Sequence, residues 1–191
     1  HRNTSWDLAK FEVVGHRFAD LSDRDYGAAL LNDSKYGYKI LDNVLDLNLL
    51  RATTMPDPNA DRGRHQFTYS FLPHKNELID APVLSEAAQL NQPPAIFPGY
   101  AGANLSFPFS LNSDAVVLEV IKKAEKEDAA ILRFYEPYGK KASVQLKINR
   151  EHVAVFKTDL MENNLQLLNV SNGLVTLDFS PFEIKTLKVV E

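Results

Sequence analysis

The ionisable residues between Phe11 and Tyr38 are the first candidates for chemistry in this sequence. His16 and Asp20 belong to residue types that bind zinc, and they are four positions apart. On a strand, which rises about 3.3 Å per residue, the two side chains point the same way but lie ~13 Å apart. Each zinc ligand must come within about 2 Å of the ion. Without a bulge the pair cannot share a metal, so we predict no metal site in this chain.

Four aspartates, Asp20, Asp23, Asp25 and Asp33, follow one another closely. Cleavage of a glycosidic bond needs two carboxyl groups that flank the sugar, but the sequence places no two of these face to face. Aspartate beside Ser, Arg and Gly also builds turns, because its carboxylate accepts hydrogen bonds from backbone N–H groups. We therefore predict turn roles for Asp23 and Asp25, and a tight turn at Asp33.

A second group of candidates follows the run from Val44 to Leu50, which has the composition of a strand. Arg51 ends this run, and a guanidinium at a strand end can donate two hydrogen bonds to vicinal hydroxyls or to a carboxylate. The alternative is a surface arginine whose stem covers apolar neighbours. Residues 61–65 form a polar loop before the next strand, and loops on a rigid sheet often carry binding groups such as His65.

Composition excludes several classes of function. The chain has 191 residues, a net charge of −4 and no cysteine, and its Lys and Arg are spread along it. This pattern predicts no nucleic-acid or membrane partner, and it fits a cytoplasmic location without thiol chemistry. No nucleophile or phosphate-binding motif is present. The sequence starts at His1 without Met, which favours a piece of a longer protein.

The elements that must position these residues are mainly strands. Short apolar runs with period-two alternation recur, as in Phe67–Phe71, Val144–Ile148 and Leu174–Phe179. Asn172–Gly173 predicts a hairpin turn between Leu167–Leu168 and Leu174–Val175, because both turn residues tolerate positive φ. Many short strands separated by turns favour a β-sandwich.

One helix and one boundary interrupt the strands. Apolar residues at helical spacing predict a short helix near residues 79–90, with Pro82 in its first turn. The Pro-, Gly- and Asn-rich segment 91–104 has the composition of a connector. We therefore expect a mainly β chain with a β-rich domain at 1–90 and a sandwich of about seven strands at 105–191.

Several blocks of sequence carry a resemblance to a known family. In chain order they are HRNTSW at 1–6, GHRFADLS at 15–22, YGAALLNDSKYGY at 26–38, LLR at 49–51, GRHQFTY at 63–69, LRFYEPYG at 132–139 and PFEIKTL at 181–187. Together they resemble the C-terminal β region of the family-38 glycoside hydrolases, the alpha-mannosidases of cytosolic and bacterial type.

The resemblance implies an architecture and an activity. Residues 1–90 would be the C-terminal part of a β supersandwich, and residues 105–191 an immunoglobulin-like β-sandwich. The family hydrolyses alpha-linked mannose with a carboxylate nucleophile and a zinc ion, both in an N-terminal α/β domain. Nothing here matches that domain, so we expect no catalytic residue and no cofactor in this chain, which would be inactive alone.

The resemblance also implies partners. The chain would pack against its own N-terminal catalytic domain and line part of a site for a mannose-containing glycan. One arginine of this region contacts the sugar in related enzymes, and Arg51 matches it best; Asp33 and His65 are further substrate-binding candidates. A fragment cut from a larger sandwich exposes sheet edges and an apolar face, which predicts self-association.

Two other classes of function stay open. The chain could be a carbohydrate-binding module without hydrolase activity, in which exposed aromatic residues stack on sugars; the candidates are Trp6, Tyr36, Tyr38 and Tyr100. These rings could equally be core or interface residues. A purely structural immunoglobulin-like domain would account for residues 105–191 but leaves the tract from Phe11 to Tyr38 unexplained.

Overall fold

The structure, a computed structural model, describes residues 4–96, 98–99, 107–150 and 152–191. The chain divides into two compact units, His1–Pro98 and Gly99–Glu191, which we call the N-terminal and the C-terminal unit. Both are built mainly from strands, as predicted, and the strands pair antiparallel. Among the described residues, no helix has the length and apolar character needed to cross a membrane.

Two three-stranded antiparallel sheets form the N-terminal unit. Its elements are α1 (Ser5–Leu8), β1 (Val13–Val14), β2 (Phe18–Ser22), β3 (Tyr26–Asn32), β4 (Gly37–Leu41), β5 (Val44–Asn48), β6 (Tyr69–Lys75) and α2 (Val83–Asn91). One sheet has the order β1-β4-β5 and the other β2-β3-β6. The short helix α1 was not predicted, although Thr4 and Asp7 form a capping box, which is a recognisable sequence signal.

Helix α2 covers one face of the sheet β2-β3-β6. Val83 and Ala87 are buried there against Ala29 and Leu31 of the central strand. The prediction of a helix from about residue 79 was wrong at its start, because Leu78–Asp80 form a separate 3-10 turn and Pro82 lies at the N-cap. Ala81 is extended, with ψ of 151°, as a residue before proline usually is.

The opposite face of this sheet is exposed at β6, and a second prediction was wrong there. The run Phe67–Phe71 was expected to be a strand with a buried apolar face. Its strand begins only at Tyr69, and Tyr69 and Phe71 are 59% and 63% exposed. Alternate residues of a strand point to opposite faces, so these two rings lie on the face away from α2.

The C-terminal unit contains eight strands in the described residues. They are β7 (Phe109–Leu111), β8 (Val117–Lys123), β9 (Ala130–Tyr135), β10 (Ala142–Ile148), β11 (Ala154–Thr158), β12 (Asn164–Leu168), β13 (Leu174–Phe179) and β14 (Ile184–Val190). They form a sheet of order β13-β10-β7 and a sheet of order β12-β11-β14-β9-β8. Side chains from both sheets meet in one core, including Phe134, Leu146, Val175 and Leu187, so the predicted sandwich is confirmed.

The turn at Asn172–Gly173 forms, but it does not join a pair of neighbouring strands. Both residues have positive φ, 52° and 72°, and Ser171 and Leu174 exchange two backbone hydrogen bonds across them. However, β12 pairs with β11, whereas β13 pairs with β10. The hairpin prediction was therefore wrong in its strands, since the turn carries the chain from one sheet to the other.

Candidate functional site

An open groove of about 470 Å³ on the N-terminal unit is lined by Arg51, the leading candidate from the sequence. Its walls come from three stretches of chain and one aspartate: residues 12–14, 34–37 and 48–51, and Asp61. The strand β5 ends at Asn48, so Arg51 lies three residues beyond the strand rather than directly at its end. The groove is thus lined both by the strand pair β4-β5 and by the irregular segment that follows β5.

Asn32 builds the turn that forms one wall. Its side chain is buried, and its Oδ1 accepts hydrogen bonds from the backbone N–H groups of Ser34 (3.1 Å) and Lys35 (2.6 Å). Its Nδ2 donates to the hydroxyl of Tyr38. Tyr38 is buried, which raises the pKa of its hydroxyl despite the hydrogen bond to Asn32. The suggestion of Tyr38 as an exposed sugar-stacking ring is therefore wrong, because the ring packs inside and anchors the turn.

Asp33, next to Asn32, binds this turn to the segment that precedes β6. Its Oδ1 accepts hydrogen bonds from the Ser34 hydroxyl (2.9 Å) and from the backbone N–H of Thr68 (3.0 Å). The hydrogen bond from the Thr68 N–H is the main cause that holds the pKa of Asp33 below its ordinary value. Asp33 is not among the residues that line the groove, so its geometry is that of a turn residue.

Asp61 organises the segment that carries Arg51. Its Oδ2 accepts hydrogen bonds from the backbone N–H groups of Arg51 (3.2 Å) and Ala52 (2.7 Å). The hydrogen bond from Ala52 is the largest cause that lowers the pKa of Asp61. The sequence places Asp61 in a polar loop, but nothing in the local pattern indicates that it bonds ten residues back.

Two of the sequence candidates meet through Asp61. The backbone of Arg51 is bound by the Asp61 carboxylate, and the Nε2 of His65 donates to the Asp61 carbonyl oxygen over 2.8 Å. The side chains of Arg51 and His65 are both exposed. In the described part of the chain, the Arg51 guanidinium has no ion-pair or hydrogen-bond partner, which leaves its donors available to a ligand.

Aromatic and carboxylate groups complete the groove. Tyr36 lines it and is 51% exposed, and its ring centroid lies 4.8 Å from that of His16. Glu12, also exposed, adds an acceptor to the donors of Arg51. An exposed ring beside charged donors and acceptors can bind a polar hydroxylated ligand, because the ring offers apolar contact and the charged groups bind hydroxyls.

Asp20 is engaged elsewhere, in a pair that the sequence did not reveal. The Nε2 of His74 lies 2.7 Å from Asp20 Oδ1, and both side chains are buried. His16 and Asp20 do not share a site, as their spacing predicted. No group of three or more His, Asp or Glu side chains suited to a metal ion occurs within the residues that the structure describes.

Comparison with protein-family models decides the origin of the chain. Residues 1–59 match the model of the glycosyl hydrolases family 38 C-terminal domain, and residues 115–187 match that of the family 38 C-terminal beta sandwich domain. The chain belongs to glycoside hydrolase family 38. Within the family, it corresponds to the C-terminal region.

Curated relatives extend the match over the whole chain. The mouse protein named Alpha-mannosidase 2C1 is 42% identical over all of this chain, and Alpha-mannosidase G of Dictyostelium discoideum is 38% identical over all of it. An alpha-mannosidase of Saccharomyces cerevisiae is 30% identical over 99% of it. The chain spans about a fifth of the length of each relative, between 18% and 20%.

A solved structure of the same family supports the fold. A family 38 protein from Enterococcus faecalis superposes with a TM-score of 0.70 over 93% of this chain and 22% of its own. At 18% identity this likeness concerns the fold alone. Within this chain, the first family model includes Arg51 and Asp33 but ends before Asp61 and His65.

Proposed function

We propose that this chain is the C-terminal region of an alpha-mannosidase, which removes alpha-linked mannose from glycans or oligosaccharides. The observation that carries the proposal is the 42% identity to Alpha-mannosidase 2C1 over the full chain. The chain would support the enzyme and line part of its sugar site. A cytoplasmic location belongs to the proposal and rests on the cysteine-free composition.

The bond-breaking chemistry lies, in this proposal, in a preceding catalytic domain. Asp20 and His74 are bonded to each other and buried, and Asp33 and Asp61 bind backbone N–H groups. No described cluster of His, Asp and Glu fits a metal ion. In this proposal, the nucleophile and the zinc ion that the resemblance to the family implies belong to that preceding domain.

Arg51 is the residue that we propose to contact the sugar. Its exposed guanidinium has no partner in the described chain and stands at the wall of the groove beside Tyr36. Two parallel N–H donors match vicinal hydroxyls such as those of mannose. Asp33 and His65 contribute indirectly, because one is committed to Thr68 and the other to Asp61.

The apolar sheet face of the N-terminal unit supports a second part of the proposal. Cross-strand partners point to one side of a sheet, so the face away from α2 carries Leu21, Tyr26, Leu30, Tyr69 and Phe71, which we call the outer face. Its three aromatic rings are each more than half exposed. Because the relatives are about five times longer, we propose that the preceding part of the enzyme covers this face.

A comparison of two proteins tests the proposal: this chain alone, and a longer protein that joins it to its preceding sequence. The longer protein should hydrolyse an aryl alpha-mannoside and contain zinc by metal analysis. This chain alone should do neither. Turnover by this chain alone would refute the assignment of the chemistry to another domain, and a longer protein inactive on alpha-mannosides would refute the activity itself.

The groove also favours a second candidate, a carbohydrate-binding module without hydrolase activity. Tyr36 is exposed in the groove, and Trp6 is 82% exposed elsewhere on the unit. Tyr38, also part of that hypothesis, is buried, and the remaining ring, Tyr100, lies outside the described residues. Calorimetric titration of this chain with mannose and mannobiose distinguishes the two: millimolar or tighter binding favours the module, whereas no binding favours the enzyme region.

A further inference from the structure

The segment between β5 and β6 has an unusual conformation for its length. Residues 49–68 contain no helix or strand, and irregular segments of this length in compact domains are commonly functional. Two of its residues with a Cβ, Ala52 and Asp61, have φ of 48° and 60°. Left-handed conformations of such residues are disfavoured and concentrate where the surroundings enforce them, often at binding sites.

The same two residues are joined by a hydrogen bond. Asp61 Oδ2 accepts the N–H groups of Arg51 and Ala52 together. A carboxylate oxygen between two successive N–H groups fixes the peptide that joins them, and with it the direction in which the Arg51 side chain leaves the backbone. The His65 ring, donating to the Asp61 carbonyl oxygen, holds the far end of this loop.

We propose that Asp61 is a positioning residue for Arg51 and thereby determines the affinity of the groove for the sugar. This inference rests on the proposed function, in which Arg51 contacts the sugar. Asp61 closes a loop of ten residues on the backbone of Arg51, so the backbone from which the guanidinium extends is already fixed when the ligand binds. Preorganisation of this kind lowers the entropy that binding must remove.

The loop offers a matched control. Asp57 has the same side chain in the same segment, and its Oδ1 accepts only the N–H of Asn59 (2.8 Å) among the described hydrogen bonds. Replacing Asp57 removes a local turn bond without touching Arg51 or Ala52. Asp61→Asn keeps an acceptor oxygen at the position of Oδ2, whereas Asp61→Ala removes it.

Steady-state kinetics of the longer enzyme with an aryl alpha-mannoside test the proposal. Asp61→Ala should raise KM about tenfold, the effect of losing one well-placed charged hydrogen bond, with little change in kcat. Asp61→Asn should recover most of the loss, and Asp57→Ala should stay within about twofold of the parent. In an Arg51→Ala background, Asp61→Ala should have no further effect on KM.

Hydrogen exchange of this chain gives a readout without activity. The amides of Arg51 and Ala52 should lose protection in Asp61→Ala and keep it in Asp57→Ala, while melting curves verify that each variant is folded. Equal KM values for Asp61→Ala and Asp57→Ala, with Arg51→Ala raising KM, would overturn the positioning role. An unchanged KM in Arg51→Ala would instead refute the proposed contact between Arg51 and the sugar. The effect of Asp61 on sugar affinity would then be refuted as well, even if the exchange data show that Asp61 binds the Arg51 and Ala52 amides.

Discussion

His74 and Asp20 form a buried ion pair that spans the central strand of the sheet β2-β3-β6. His74 Nε2 lies 2.7 Å from Asp20 Oδ1, and its Nδ1 lies 3.2 Å from the carbonyl oxygen of Lys75. Both ring nitrogens thus face acceptors, which favours the doubly protonated imidazolium. The Ser22 hydroxyl donates to the other carboxylate oxygen, and Gly27 lies beneath the ring.

This pair predicts a dependence of stability on pH. Burial lowers the pKa of His74, but the hydrogen bonds to Asp20 and to the Lys75 carbonyl outweigh it, so the pKa lies above its ordinary 6.5. Because the folded pKa is raised, the pair stabilises the unit fully below pH 6.5, and the contribution is lost as pH rises through the folded pKa. Urea unfolding between pH 6 and 9 should show this decline, and His74→Gln should abolish it. If His74→Gln showed the same decline in the unfolding free energy, another group would be its cause. The control is His152→Asn, at an exposed position, which should leave the decline in place.

Removing one partner of the pair should be costly. His74→Ala leaves the carboxylate of Asp20 buried without its cation, which typically destabilises a protein by about 3 kcal/mol or more. Chemical denaturation measures the loss. The double variant Asp20→Asn, His74→Ala should recover part of it, and a double variant no more stable than His74→Ala would contradict the ion-pair interpretation.

Gly27 should not tolerate a side chain. A Cβ there would lie 2.4 Å from His74 Cε1 and 2.4 Å from Ser22 Cβ. Gly27→Ala must therefore displace the imidazole, and we expect a loss of about 2 kcal/mol, typical of overpacking. Gly99→Ala is the control, because an added Cβ there meets no atom of the described residues within 4 Å. Equal melting temperatures for the two variants would refute the close contact.

Glu136 is a buried, hydrogen-bonded charged residue of the C-terminal unit, comparable to the His74–Asp20 pair of the N-terminal unit. It is 1% exposed, and its carboxylate accepts the backbone N–H groups of Tyr138, Gly139 and Phe182, each at 2.8 Å. Burial raises the pKa of Glu136, but these hydrogen bonds outweigh it and hold the pKa below 4.5. The stabilisation is therefore present above pH 4.5 and is lost as pH falls through the folded pKa.

The expected result for Glu136→Ala is a loss of about 3 kcal/mol, because three backbone N–H groups lose the buried carboxylate that accepts their hydrogen bonds. Acid titration of the unfolding free energy should also become flatter below pH 4.5. Asp114→Asn, at an exposed position of the same unit, serves as the reference and should change neither quantity. An acid profile unchanged by Glu136→Ala would contradict the proposed cause.

The outer face predicts self-association of this chain by itself. Phe71→Glu should reduce it, because a charge placed on an apolar contact surface opposes burial. Sedimentation velocity measures the change. Leu165→Glu, at a position 62% exposed in the C-terminal unit, is the control for added charge. A wild-type chain that sediments as a clean monomer, without exchanged strands, would contradict the prediction.

Local patterns predicted local structure well and long-range pairing poorly. The strands at Val144–Ile148 and Leu174–Phe179 have one buried face, so period-two alternation revealed them. Asp20 and His74 are 54 residues apart, and no local pattern marks such a pair. The hydrogen bond between the Asp61 carboxylate and the Arg51 backbone spans only ten residues. It was still not predicted, because aspartate is too common in loops to indicate this acceptor role.

Burial explains the remaining errors. Glu136, which stands beside a Pro-Tyr-Gly turn, was not singled out from the sequence, although three N–H groups surround its carboxylate. Phe71 reads as a core residue, yet it lies on the exposed outer face. Both depend on which part of the fold covers them, and alternation along a strand reports two faces without saying which is covered.

The corner at Asn172–Gly173 bears on how this chain can be engineered. A surface Asn-Gly turn would ordinarily be chosen for inserting an epitope tag or a protease site. Here the Gly173 carbonyl accepts the Ile148 N–H over 2.7 Å, and a Cβ on Gly173 would lie 2.8 Å from the Ile148 carbonyl oxygen. The turn therefore packs on the end of β10, where the chain passes from one sheet to the other. Lengthening the turn would disrupt these contacts, so an inserted tag or protease site should be placed elsewhere on the molecule.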